Sequence, residues 1–344
     1  MKSNKKSDER LSRLRDLCGN SKNLLIVLQD HPDPDAVASG VALRFLANRF
    51  GLNCSIAHGG MVGRAENRSL INYLGVNLRR LDDVNLDSFG LIALVDTQPE
   101  TGNNQLPEGV RPQIVIDHHP CRAASRGIAF SDIRSGYGAT STIMCEYLQA
   151  GGVEPEPPLA TALLFGILSD TSDLGRETSR ADIEAHHWLN SHANLRMLSH
   201  IRRSPLNCDY YKLLYQALAN ARVYGARIFV DIGEGDNPDM AGEIADLLVR
   251  KEKALWCLCL IRISERIVLS LRGVNPENDA GTLVRQVVAG HGTGGGHLTF
   301  AGGQISTVDL GPARINAIVR EVRKRFLTHT GAVDDRSRRL VRHD

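Results

Sequence analysis

Apolar and polar positions along the chain follow two alternating patterns. Runs such as LLIVLQ (24–29), CSIAHGG (54–60), GLIALVD (90–96) and PQIVIDHH (112–119) are short, branched and uninterrupted, as in strands buried on both faces. Between and after them, AVASGVALRFLANRFG (36–51), ATSTIMCEYLQAGG (139–152) and PPLATALLFGILSDTS (157–172) read as helices. Gly51 stands at a C-cap position, and prolines open the last of the three. The succession predicts an α/β fold, a doubly wound and mostly parallel sheet over residues 23–180. Residues 1–22 form a charged extension with a weak helical stripe at Leu11, Leu14 and Leu17.

The pattern then changes. Residues 181–222 are helical and charged without a strand signal, as expected of a linker. Over 223–328 a second set follows. ARIFVDIG, ALWCLCLIRI and RIVLSLRG are strands, and AGEIADLLVRKE, TLVRQVVAG and PARINAIVREVRKRFL are helices. This is the pattern of a smaller α+β domain. Its segment AGHGTGGGHLTFAGGQ (289–304) holds the chain's only dense glycine cluster. The basic tail 329–344 is expected to be disordered and solvated. No internal repeat is visible.

Composition narrows the classes. A length of 344 residues suits two domains, and 42% apolar with 23% charged residues is ordinary for a soluble globular protein. The formal charge of +2 means that any anion site must be local, and a long basic track for duplex nucleic acid is not expected. Seven cysteines without CxxC pairs favour neither a disulfide framework nor a zinc module, so a reducing cytoplasm is the expected compartment. No apolar run approaches the ~18 residues of a membrane span.

Candidate chemistry gathers where strands end. Ligands of open α/β sheets collect at the carboxyl ends of the strands, and Asp33, Asp35, Asp96, Asp117, His118 and His119 all fall there. If the backbone is extended, Asp33 and Asp35 face one side, and two such carboxylates with a third can hold two divalent ions. A lone DxD is as readily a solvated turn, and Asp96 or Asp170 alone reads as a cap. Together the acids and imidazoles match metals that accept mixed oxygen and nitrogen ligands. In the second domain, the glycines of GTGGGH let main-chain N–H groups approach a phosphate, and Arg272 ends a strand where it could grip one. His291 is a weaker candidate.

The order DPDA, VDTQP, IDHHP, GILSDT and a C-terminal GGGH resembles the DHH superfamily of phosphoesterases carrying a DHHA1 domain. Within it the likeness is to the oligoribonuclease (nanoRNase) and 3′-phosphoadenosine 5′-phosphate phosphatase type, over roughly residues 22–325. The resemblance implies that Asp33 binds a first metal, Asp35 a second, and that Asp96 bridges them. It implies that His118 and Asp170 complete the second position, that His119 contacts the scissile phosphate and that Asp117 orients the histidines. Gly294, Gly295, Gly296, His297 and Arg272 would hold the substrate. Relatives usually carry a histidine four residues before the first Asp. Gln29 stands there instead, with His31 as a substitute ligand to be tested.

The activity so implied is two-metal hydrolysis, in a cleft between the domains, of short oligonucleotides, of 3′-phosphoadenosine 5′-phosphate, or of both. The expected cofactor is a pair of Mn²⁺ ions, with Mg²⁺ or Co²⁺ as alternatives. The expected partners are short nucleotides rather than long duplexes or membranes, and a homodimer is compatible with the sequence. Two other readings stay open. One is a pyrophosphatase or short-chain polyphosphatase on the same scaffold, which the GGGH-bearing domain disfavours. The other is a catalytically weak nucleotide sensor, for which Gln29 is the sole support.

Overall fold

The computed structural model describes residues 5–275, 279–332 and 336–341. It divides into two compact units, Met1–Ser204 and Pro205–Asp344. The first unit runs α1 (Lys5–Cys18), β1 (Asn23–Val27), α2 (Pro34–Arg49), β2 (Asn53–His58), α3 (Ala65–Leu74), β3 (Leu78–Arg80), β4 (Leu91–Val95), β5 (Ile114–Asp117), β6 (Phe130–Ile133), α4 (Thr140–Ala150), α5 (Pro157–Asp170), α6 (Arg180–Asn190) and α7 (Leu195–Arg202). Its strands form a parallel sheet in the order β3-β2-β1-β4-β5-β6. β1 is flanked by β2 on one side and β4 on the other, so the chain reverses its direction of travel across the sheet there. The crevice at such a switch point is the natural ligand site of a parallel sheet.

Both faces of the sheet are buried, which explains the uninterrupted apolar runs. Leu24, Ile26 and Leu28, with Ala93, Val95, Ile114 and Ile116, pack with residues of all the helices from α1 to α7. Leu25, Val27, Leu94 and Val115 face the other way, where short 3₁₀ turns bring Leu81 and Leu86 over them. The charged start is tied down, with Leu11, Leu14 and Cys18 of α1 buried in the helical core. The stretch 181–222 divides between the units. α6 and α7 bury Leu189 and Ile201 in the first core, and α8 (Cys208–Asn220) buries Leu213 and Ala217 in the second.

The second unit continues with β7 (Arg222–Tyr224), β8 (Arg227–Glu234), α9 (Asp239–Leu248), β9 (Trp256–Ile263), β10 (Arg266–Gly273), α10 (Ala280–Val288), β11 (Gly292–Gly296), β12 (Phe300–Ser306), α11 (Pro312–His329) and β13 (Arg338–Arg339). Its mixed sheet has the order β11-β12-β10-β9-β8-β7-β13, with β8 and β9 parallel and the other pairs antiparallel. β9 shows the logic of its run WCLCLIRI. Trp256, Leu258 and Leu260 pack with α10 and α11, while Cys257, Cys259 and Ile261 pack with α8 and α9.

Two stretches without a strand signal pair into the second sheet. Within the glycine cluster, Gly292–Gly296 form edge strand β11, paired with β12. A Cβ at Gly296, whose φ is 154°, would collide with Phe300 and Ala301, whereas a Cβ at Gly295 would meet nothing within 4 Å. Glycine is thus demanded by close packing at one position and leaves open space at its neighbour. Nor is the basic tail wholly irregular. Arg338 and Arg339 add a short strand to β7, and Leu340 N–H donates to Ala221 O. This covers a backbone edge that β7 would otherwise expose. No helix among the described residues is long and apolar enough to cross a membrane.

Candidate metal centre

Asp33 and Asp35 converge by helix capping, not by the strand alternation expected. Asp33 is the N-cap of α2, and its Oδ1 accepts from Ala36 N–H at 2.9 Å. Pro34 follows at the first helical position, where its fixed φ suits the turn and its missing N–H costs nothing. Asp35 lies in the first turn and is fully buried. Its two oxygens accept from Thr140 N–H and Ser141 N–H, each at 2.7 Å. Those are the opening amides of α4, whose own N-cap, Ala139, has no polar side chain to cap it. Asp35 therefore supplies from α2 the anionic cap that α4 lacks.

Asp96 follows β4 with φ of 60°, a left-handed conformation that Asp tolerates better than most residues, at a cost of about 1–2 kcal/mol. It is fully buried. Its Oδ1 accepts from Thr140 Oγ1 at 2.9 Å and its Oδ2 from Gln29 Nε2 at 3.3 Å. Gln29 Nε2 also donates to Asp33 Oδ2 at 2.9 Å. His118 Nε2 lies 3.3 Å from Asp170 Oδ2 at the end of α5, and 3.6 Å from Asp96 Oδ1. One donor atom each from Asp35, Asp96 and His118 fall within 4.8 Å of one another, as do one each from Asp96, Asp117 and His119.

Asp117 reaches one imidazole, not both, and two main-chain amides besides. Its Oδ1 accepts from His119 Nδ1 at 2.8 Å and from the main-chain N–H of His118 at 2.8 Å and of His119 at 3.2 Å. The His118 ring is held separately, with Nδ1 at 3.2 Å from Tyr137 O. Gln98, fully buried and missed in the sequence, donates to Asp117 Oδ2 at 2.6 Å and accepts from Arg122 N–H and Ser125 Oγ. It sits in the quoted VDTQP, but its role depends on partners up to 27 residues away. His31 does not join the cluster. Its Nδ1 lies against the main chain of Met61, 3.1 Å from O and 3.3 Å from N.

The electrostatics record crowded negative charge. Burial, then the charges of Asp170 and Asp35, push Asp33 up to about 8. Burial and Asp170 push Asp35 up to about 6, despite its amide donors. Burial and the neighbouring carboxylates, Asp35 first, hold Asp96 well above the usual range. Burial opposes protonation of His118, but the hydrogen bond and charge of Asp170, with Asp35 and Asp117, outweigh it and raise the ring to about 10. Burial acts to raise Asp117 too, yet the charge and hydrogen bond of His119 bring it to about 2. A set of carboxylates so reluctant to ionise beside imidazole nitrogen is one that divalent cations fit.

In the second unit Arg272 ends β10 in an ion pair with Asp246, and its Nη1 donates to Ser270 Oγ at 2.7 Å. Its guanidinium lies 5.8 Å from the Phe300 ring centroid. His297 stacks on that ring at 4.4 Å between centroids, with its N–H bonded to Phe300 O. Gly294 and Gly295 precede it on β11. His291 pairs with Glu321 at 2.9 Å.

A parallel α/β unit with acids and imidazoles at its switch point, followed by a separate mixed-sheet unit, defines a two-domain chain of the phosphoesterase architecture. The chain belongs to the DHH superfamily: residues 23–167 match the DHH family N-terminal domain and residues 217–327 the DHHA1 domain. An uncharacterised protein of Methanocaldococcus jannaschii is 35% identical over 284 residues, covering 82% of this chain. The chain spans 58% of the length of that relative. Two solved structures share the fold. An exopolyphosphatase-related protein from Bacteroides fragilis has a TM-score of 0.74 at 14% identity, covering 94% of this chain and 97% of that one. RecJ from Thermus thermophilus, solved in complex with Mn²⁺, has a TM-score of 0.55 at 13% identity, covering 96% and 55%.

Proposed function

We propose that this chain is a metal-dependent phosphoesterase acting on short oligonucleotides or on 3′-phosphoadenosine 5′-phosphate. The observation that carries the reading is the convergence of Asp33, Asp35, Asp96, Asp170 and His118 at one strand-end crevice, with more negative charge than the protein itself offsets. Asp33 and Asp96 would hold one divalent ion, Asp35, Asp96, His118 and Asp170 the other, with Mn²⁺ favoured by the mixed donors. Such ions, when bound, supply a water of lowered pKa and positive charge for the phosphoryl oxygens.

The remaining work belongs to the side chains around that crevice. Asp117, ionised throughout the neutral range, fixes His119 through Nδ1 and so leaves Nε2 as the ring atom that would meet a phosphoryl oxygen. Thr140 and Gln29 hold Asp96 from opposite sides. In the second unit the stacked His297–Phe300 pair, with Arg272 near the same ring, suits a base and a phosphate, which supports a nucleotide over pyrophosphate as substrate.

The test is hydrolysis, with and without Mn²⁺, of a 5′-phosphorylated dinucleotide, 3′-phosphoadenosine 5′-phosphate and pyrophosphate. Manganese-dependent release of mononucleotide or AMP is expected, with Asp96→Ala at least ~100-fold slower. Turnover of pyrophosphate alone, or undiminished turnover by Asp96→Ala, would overturn the assignment.

A further inference from the structure

We infer that the two metal positions of this centre are chemically unequal, because the Gln29 amide occupies the first one as a neutral substitute for a cation. The inference rests on the two-metal reading above and concerns how this chain departs from an even pair.

Asp96 divides its oxygens. Oδ1 faces the His118 side, 3.6 Å from Nε2, while Oδ2 faces Gln29. A cation at the first position would need Asp96 Oδ2 and Asp33 Oδ2. Gln29 Nε2 already donates to both, at 3.3 Å and 2.9 Å. In this orientation one amide nitrogen serves both carboxyl groups at once. An amide nitrogen does not ligate a divalent cation. For an ion to enter, Gln29 must turn its Oε1 inward and give up both hydrogen bonds.

His31, two residues on from Gln29, does not compensate. His31 is held by the main chain of Met61. The first position is then an all-oxygen set of Asp33, Asp96 and the amide oxygen, whereas the second combines Asp35, Asp96 and Asp170 with the His118 nitrogen. Oxygen-only sets suit hard cations such as Mg²⁺ and discriminate weakly among them, and a nitrogen ligand favours Mn²⁺ over Mg²⁺. The second position fills first and prefers Mn²⁺. The first fills later and takes Mg²⁺ nearly as readily.

The experiment counts Mn²⁺ bound to the full chain by equilibrium dialysis, with the free ion read by electron paramagnetic resonance, and repeats the titration in excess Mg²⁺. Far-UV circular dichroism confirms that each variant is folded. The native chain should bind one Mn²⁺ tightly and a second about tenfold or more weakly, with Mg²⁺ displacing mainly the second. Gln29→His should tighten the second Mn²⁺ selectively over Mg²⁺. Gln29→Glu, which removes the donor and adds a carboxylate oxygen, should tighten both metals at that position. Two equal tight Mn²⁺ ions in the native chain, or a second affinity that neither variant alters, would overturn the inference. Absence of any bound Mn²⁺ would overturn it together with the metal-dependent reading beneath it.

Discussion

Asp96 condenses the chemistry of the centre into one residue: a left-handed backbone, a buried carboxylate, and two oxygens facing different neighbours. Its position after an apolar strand was legible, but its conformation was not, since a φ of 60° follows from the strand's exit geometry and not from residue type. Gln98 was illegible for a similar reason, because its partners are scattered between Asp117 and Ser125. The titrating groups make a directional prediction for the metal-free chain. Asp33 and Asp35, raised to about 8 and about 6, keep protons in the folded state that the unfolded chain gives up above an ordinary carboxylate value. Their contribution therefore declines as pH rises through that window. His118, raised to about 10, contributes stability that is complete below its ordinary value and lost as pH rises toward 10, the same direction. The melting temperature in EDTA should thus fall between pH 6 and pH 9, by roughly 2–4 °C for each kcal/mol lost. Mn²⁺ should raise it most at the alkaline end. A flat or rising metal-free profile would contradict the crowded-charge picture.

At the scale of elements, the centre depends on how closely α2, α4 and α5 approach one another. Gly166 of α5 lies so near α2 that a Cβ there would sit 3.0 Å from both Asp35 Cα and Asp35 Oδ1, and closer still to Ser141 Oγ. Gly166→Ala should destabilise the first unit by about 1–3 kcal/mol and weaken Mn²⁺ binding with it, as thermal melts and metal titrations would show. Gly152→Ala, with open space around it but φ of 62°, should cost about 1 kcal/mol and leave metal binding intact. The helices themselves were readable from periodicity, prolines and glycines. The capping of α4 by Asp35 was not, because it joins residues 105 positions apart. The glycine strand β11 escaped for the opposite reason. Glycine carries little strand propensity, so only its pairing with β12 makes it one.

Across the whole molecule, the alternation of strands and helices made the first unit's parallel sheet and the second unit's mixed α+β character foreseeable. The division at Ser204 and Pro205 fell inside the expected linker, because helix patterns do not reveal which core a helix joins. The tail strand β13 was hidden by its charge. A chain ending at Ala332 should lose about 1–2 kcal/mol from the second unit and gain concentration-dependent association through the bared β7 edge, measurable by light scattering. The spacing of the metal-facing groups has a consequence for synthesis. The amides of Thr140 and Ser141 that seat Asp35, and then Asp170, leave the ribosome more than a hundred residues after Asp33 and Asp35. A nascent chain that stops between them carries acids without their seat, so on the proposed function metal capture would belong to the last stage of the first unit's assembly and would report that its sheet and helices have closed.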